Sequence, residues 1–314
     1  MDRKRIVIAL GGNALQSDTK EFSAYKQLET CKKSVKSIVD LIEDGHEITI
    51  VHGNGPQVGE IISVYEQAPN VSPMPLPECG AMSQGYIGYH LQQTIKGEIN
   101  KRDLDKDVVS LITQAVVKAN DSAFDNPTKP IGAFFNEDDA KKLSKIKGYT
   151  MKEDAGRGWR RVVASPQIVD IVESNAIKCL VEAGYIVIAA GGGGVPVIDK
   201  GNGVFEGVPA VIDKDFAAEK IGEIVDADVL IILTAVEKVY INFNKPEQKG
   251  LSELTVDEAK KYMKEGHFAT GSMLPKIQAA IKFVESKPER MAIITSLENA
   301  KESLNGSTGT LIKK

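Results

Sequence analysis

The chain has 314 residues, of which 42% are hydrophobic, 26% charged and 6% aromatic, a globular composition that excludes disordered and collagen-like structure. Its formal net charge of -4 argues against bulk binding to nucleic acid or to an anionic membrane surface. No apolar run approaches the ~18 residues of a membrane span, and the run at 6–10 is too short for a signal-peptide core, so a cytoplasmic protein with no membrane partner is expected.

In chain order, strand patterns fall at 5–10, 47–52, 107–113, 185–190, 229–233 and 291–295. Several are apolar at nearly every position, as strands covered on both faces are. Helical patterns fall at 24–43, 80–101, 167–183, 215–224, 255–265 and 272–286. In the first of these, Leu28, Cys31, Val35, Ile38, Val39 and Ile42 recur at three- and four-residue steps and define one buried face, which makes Cys31 a core residue rather than a reactive thiol. This alternation predicts an α/β fold with a mainly parallel sheet and crossover helices. Two stretches interrupt it. Pro69, Pro73, Pro75 and Pro77 predict an extended loop, and a polar region at about 118–165, holding the single tryptophan Trp159, reads as a lid or small subdomain.

Glycine-rich turns follow three of the predicted strands: Gly11-Gly12-Asn13, Gly53-Asn54-Gly55-Pro56, and the four glycines at 191–194. Ligands of open α/β sheets bind at the carboxyl ends of strands, where glycine lets the backbone approach a phosphate and a following helix offers free N–H groups. Three such turns favour an anion site. None matches a P-loop, and the 191–194 run continues into Val195-Pro196 rather than opening a helix, which leaves an NAD-dependent oxidoreductase as a weak second reading. Phosphoryl transfer also needs cations, since both reactants are anions. Three lysines sit in unusual settings: Lys129 between Pro127 and Pro130, Lys214 between Asp213 and Asp215, and Lys276 just after Gly271-Ser272-Met273-Leu274-Pro275. A lysine is by default a solvated surface side chain, and these settings weaken that default without deciding the matter.

The strings IALGGNAL, VHGNGPQVG, AMSQGYIGY, NPTKPIG, EDAGRGWRRVVASP, GGGGVPV, VIDKD and GSMLPK stand in the order seen in carbamate kinases, and the chain resembles that branch of the amino-acid kinase superfamily over residues 5 to about 310. The resemblance implies a three-layer αβα sandwich with an open, mainly parallel eight-stranded sheet and a small lid at about 118–165. It implies an N-terminal lobe, about 1–200, for carbamate or carbamoyl phosphate, and a C-terminal lobe, about 201–314, for the nucleotide. The implied reaction is reversible phosphoryl transfer from ATP to carbamate, a carboxyl-type acceptor, giving ADP and carbamoyl phosphate. Mg2+ would arrive with the nucleotide, and the implied assembly is a homodimer. By the same match Lys214 and Lys276 should contact the nucleotide phosphates and the moving phosphoryl group, Asp215 should hold those lysines, and Lys129 should reach in from the lid. Gly11, Gly12, Asn13, Gly53, Asn54 and Gly55 should surround the phosphoryl group and carbamate, with Tyr240 and Met273 as adenine-pocket candidates. Where many superfamily members carry L-T-D, this chain has Leu233-Thr234-Ala235, so no carboxylate role transfers to position 235; Ala155 and Leu274 also occupy variable places in the motifs.

Other conspicuous residues have plainer readings. His52, at the end of a buried strand, is expected to be structural, and four scattered histidines make no metal constellation. Arg157, Arg160 and Arg161 beside Trp159 are expected to be lid residues or surface ion pairs rather than a nucleic-acid patch. Ser83 is expected to be an ordinary helix residue. The competing readings are another acyl-phosphate or nucleotide kinase of the superfamily, such as an acetylglutamate or uridylate kinase, and a non-catalytic nucleotide sensor on the same fold.

Overall fold

In the computed structural model, which describes residues 3–12, 15, 23–154 and 156–314, the first strand, β1 (Arg5–Leu10), sets the layering. Successive side chains of a strand point to opposite faces. Ile6, Ile8 and Leu10 therefore enter one core and Val7 and Ala9 the other, and all five are fully buried. After β1 come α1 (Ala24–Glu43), β2 (Glu47–His52), α2 (Gly55–Gln67), α3 (Leu76–Lys101), β3 (Val108–Ser110) and β4 (Gln114–Val117). The chain then builds β5 (Lys129–Phe135), α4 (Glu137–Lys147), β6 (Met151–Glu153) and β7 (Trp159–Val163) before β8 (Ile168–Ile171), α5 (Ser174–Glu182) and β9 (Ile186–Ile188). Next are β10 (Val195–Asp199), β11 (Phe205–Gly207), α6 (Lys214–Ile224), β12 (Val229–Thr234), β13 (Val239–Ile241), β14 (Lys249–Leu251) and β15 (Glu253–Thr255). The last elements are α7 (Val256–Lys264), α8 (Met273–Ser286), β16 (Met291–Ser296), α9 (Ala300–Ser303) and β17 (Thr310–Lys313).

Eight strands form the central sheet in the order β15-β17-β16-β12-β1-β2-β9-β3. Its pairs are parallel except β16 with β17. One face carries α1 and α3, whose Val35, Ile38, Val39, Ile87, Leu91, Ile95 and Ile99 pack on Ile6, Ile8 and Leu10. The other carries α6 and α8, whose Ala217, Ala218, Ile221, Ile277, Ala280, Phe283 and Val284 join the core of Val7 and Ala9. This is the expected three-layer sandwich with a mainly parallel eight-stranded sheet. A four-stranded sheet (β11-β10-β4-β8) and a three-stranded sheet (β5-β7-β6) lie apart from it, the latter with α4 occupying the polar 118–165 region. Among the described residues no helix is long and apolar enough to cross a membrane.

The expected bounds of β1, β2 and α1 match the structure. Three expectations are corrected. The helix expected at 167–183 is a strand, β8, followed by the shorter α5; Ile168 and Ile171, three apart, mimic a helical step but are the two buried ends of an extended segment. The strand expected at 107–113 is only Val108–Ser110, because the Gln84 side chain takes over the pairing: its Oε1 accepts from Thr113 N–H at 2.8 Å and its Nε2 donates to Thr113 O at 3.0 Å. The proline-rich loop is shorter than expected, since Pro77 lies in the first turn of α3, where a missing N–H costs no helical bond. The helix α2 was not among the expected elements.

The crossing of α6 and α8 brings two of the singled-out lysines together. Gly222 on α6 lets the buried Phe283 of α8 approach so closely that a Cβ there would lie 2.6 Å from the ring. A Gly222→Ala substitution gains helix propensity but overpacks this contact, so a net loss of about 1–3 kcal/mol is expected in urea denaturation. A variant as stable as the wild type would show that the two helices can separate freely.

Candidate active site

Between β1 and β12 the winding of the sheet reverses: the chain passes from β1 to its neighbour β2 on one side and from β12 to β16 on the other. Such a switch point leaves a crevice at the carboxyl ends of the strands. Gly11 and Gly12 after β1, Leu233, Thr234 and Ala235 at the end of β12, and Ser296 to Glu298 after β16 line a cavity of ≈ 400 Å³ there. A second cavity of ≈ 280 Å³ lies beside it, between the turn after β2 (Gly53, Asn54, Gly55), Lys129 and Ile131 of β5, and the 211–215 segment entering α6. Lys214 and Lys276 line both. Neither lysine is a solvated surface residue.

The N-terminus of α6 organises the cations. Asp213 is the N-cap: one carboxylate oxygen accepts from Asp215 N–H at 3.0 Å and the other from Lys129 Nζ at 2.7 Å. Asp215, in the first turn and only 2% exposed, accepts from Lys214 Nζ on Oδ1 at 2.6 Å and from Lys276 Nζ on Oδ2 at 2.8 Å. Burial alone would raise the Asp215 pKa, but the two ammonium groups overcome it and hold the carboxyl at about 2. A carboxylate depressed below its unfolded value near ~3.9 stabilises the fold above that value, and the contribution disappears as pH falls towards 2. Burial opposes the charge of Lys214 as well, but Asp215 and Asp213 outweigh it and its pKa is raised. Lys276 is lowered instead, first by burial and then by the charge of Lys214. Three ammonium groups face two carboxylates, so the cluster is net cationic and suited to an anion with several negative oxygens.

The structure brings Lys129, Lys214, Asp215, Lys276, Gly53, Asn54 and Gly55 together around the smaller cavity, and Gly11 and Gly12 around the larger. Asn13 lies outside the described residues. A Cβ at Gly53 would come within 3.3 Å of Lys214 Cδ, so the bare backbone there makes room for the lysine stem. The four glycines at 191–194 have a packing reason of their own. A Cβ at Gly191 would lie 2.4 Å from His52 Nε2, and one at Gly192 would lie 2.1 Å from Asn54 Nδ2, so this turn is a packing surface for the protein's own side chains. Only Gly192 of the four lines a cavity described here. Tyr240, on β13 with its ring 5.9 Å from that of Phe243, and Met273, at the start of α8, line neither cavity.

His52 is 1% exposed, its Nδ1 sits 3.0 Å from Gly53 O, and burial pushes its pKa down to about 4. It is a neutral structural residue and lines neither cavity. Arg157 and Arg160 pair with Asp154 and stack on Phe134, and Arg161 stacks on Tyr149 with its guanidinium 3.8 Å from the ring centre, all within the small subdomain. Asp213 was not singled out as a site residue from the sequence; its signal was its place as an acidic N-cap immediately before the lysine. Among the described residues no group of three or more His, Cys, Asp or Glu side chains could hold a metal ion. Asp213 and Asp215 already neutralise lysines, so these carboxylates do not form a resident metal site.

The amino acid kinase family matches over residues 4–295. The carbamate kinase of Clostridium perfringens is 60% identical over 314 residues, covering 99% of this chain and 100% of that protein. A carbamate kinase-like protein of Escherichia coli is 53% identical, covering 98% of this chain and 99% of the other. The solved structure of a Giardia lamblia carbamate kinase bound to AMP-PNP superimposes with a TM-score of 0.92 at 42% identity, covering 99% of both chains. The chain belongs to the amino acid kinase family, and within it to the carbamate kinases.

Proposed function

We infer that the chain catalyses reversible, direct phosphoryl transfer between ATP and carbamate, with ADP and carbamoyl phosphate as the other pair. The observation that carries this reading is the pair Lys214 and Lys276, fixed on one buried carboxylate in the wall shared by two cavities. In the forward direction a carbamate oxygen attacks the γ-phosphorus, the bond to the β–γ bridging oxygen breaks, and ADP leaves. Charge on the transferring group falls between Lys214 and Lys276, while Lys129 approaches from the subdomain side. The N-terminal lobe, about 1–200, takes carbamate, the C-terminal lobe, about 201–314, takes the nucleotide, and Tyr240 and Met273 border adenine. A divalent cation, Mg2+ in this reading, would be held by the nucleotide's phosphates rather than by carboxylates of this chain, and would supply neutralisation of their charge. The subdomain at 118–165 closes over the site, the working assembly is a homodimer, and the location is cytoplasmic.

Carbamate is already an oxyanion and loses no proton on attack, so the site needs no general base. The buried, neutral state of His52 supports this economy.

Mixing ADP, Mg2+ and carbamoyl phosphate with the protein should form ATP well above the enzyme-free rate. Lys214→Ala and Lys276→Ala should each lower kcat by about 10²-fold or more while remaining folded. A folded variant with near wild-type kcat would remove that lysine from the mechanism.

Asp215→Asn tests the organising carboxylate. Its loss leaves two cations in a poorly solvated cleft, where burial and mutual repulsion both favour deprotonation. The activity of this variant should therefore decline with rising pH earlier than that of the wild type. A uniform loss with an unshifted profile would mean that Asp215 does not set the lysine charges.

In the reverse direction, wild-type kcat should show no inflection near pH 6.5, and His52→Asn should retain kcat within about tenfold. A loss of about 10³-fold with ADP binding intact would make His52 a catalytic base.

A further inference from the structure

Asn54, at the turn between β2 and α2, is 8% exposed and lines the ≈ 280 Å³ cavity. Its Nδ2 donates to Ser83 Oγ on α3 at 2.7 Å, and Ser83 Oγ donates in turn to Gly80 O at 2.6 Å. A hydroxyl has one proton. With that proton committed to the Gly80 carbonyl, the Ser83 oxygen can only accept, so the end of the Asn54 amide facing it must be the NH₂. The relay thereby fixes the direction of the amide and turns Oδ1 away from Ser83. Oδ1 accepts no hydrogen bond from any described residue, and Asn54 itself borders the cavity. Nor does it cap α2, which receives no side-chain hydrogen bond at its N-terminus. Behind the amide, Gly192 leaves space that any Cβ would fill, at 2.1 Å from Nδ2 and 2.5 Å from Oδ1.

The charged acceptors bordering the same cavity, Asp213 and Asp215, are engaged by Lys129, Lys214 and Lys276. Among the described residues, Asn54 Oδ1 is thus an uncommitted side-chain acceptor in surroundings otherwise arranged for anions. We propose that Ser83 orients Asn54 so that Oδ1 accepts a hydrogen bond from the amino group of carbamate or carbamoyl phosphate, and that this contact selects them over acyl phosphates without an N–H. The proposal rests on the carbamate reading above. Ser83 is a positioning residue in it and Asn54 the specificity-determining one. An analogue such as acetyl phosphate places a methyl group where the acceptor needs a donor and leaves that acceptor unpaired, the arrangement by which polar sites discriminate most strongly.

The test compares kcat/KM for ATP formation from ADP with carbamoyl phosphate and with acetyl phosphate, the latter also measured as a competitive inhibitor. The proteins are the wild type, Asn54→Ala, Ser83→Ala and Ser83→Thr, each checked by thermal melting and ADP affinity. Asn54→Ala should lose about tenfold or more with carbamoyl phosphate but no more than about threefold in its use or binding of acetyl phosphate. Ser83→Ala should shift the ratio the same way by a smaller factor, because the freed amide can turn, and Ser83→Thr, which keeps the hydroxyl, should restore it. An unchanged ratio, or equal losses with both compounds, would overturn the proposal. Should Asn54→Ala fail to fold, the same criterion applied to Ser83→Ala decides. A wild-type protein that makes no ATP from carbamoyl phosphate would instead overturn the carbamate reading itself, so the two failures are distinct.

Discussion

One carboxylate makes the site possible. Without Asp215, Lys214 and Lys276 would be two like charges held together in a cleft where water screens them poorly, and each would favour losing its proton. Asp215 gives each ammonium one short hydrogen bond and leaves its remaining donors for a ligand. The arrangement is also a structural constraint, because Lys214 and Asp215 begin α6 whereas Lys276 belongs to α8. The helices are held together again further along, by Gly222 against Phe283 and by Lys282 Nζ at 2.6 Å from Glu219 on α6. The spacing of the cations is therefore set by the packing of an entire helix pair.

Asp213 extends the same logic to a third element. As an N-cap it is fixed by the backbone of α6, and its second oxygen holds Lys129 of β5. Two successive functions, ending a loop and anchoring a cation, rest on one side chain. The small subdomain is thus joined to the sandwich through an ion pair at the site rather than only through its own hydrophobic contacts.

Much of this was legible in the sequence, and the failures have physical causes. The buried strands β1 and β2 and the amphipathic α1 announce themselves because burial on two faces, or on one helical stripe, dictates residue type. The α2 helix hid behind Gly55, Pro56 and Gly59, residues that usually mark loops, although a proline early in a helix is a starting signal. Lys129, Lys214, Asp215 and Lys276 stood out through unusual neighbours and through the family resemblance, and they do converge. The glycines at 191–194 stay ambiguous because a sequence shows that the backbone must be bare, not whether a ligand or a neighbouring side chain needs the space. Ser83 reads in sequence as an ordinary helix residue. Its importance lies in the direction of a hydrogen bond to Gly80, which exists only once α3 has formed.

The wall shared by the two cavities bears on inhibition. Chambers of ≈ 400 and ≈ 280 Å³ open onto the same two lysines, so a molecule with an anionic centre and an arm in each chamber would engage the cations once and both chambers together. Tethering the arms replaces two losses of translational freedom with one, and the gain depends on linker length rather than on any new contact. The arm in the smaller chamber would meet Asn54, Lys129 and Ile131, which do not line the larger one. Recognition by that arm would thus add to the attraction of the shared lysines rather than repeat it.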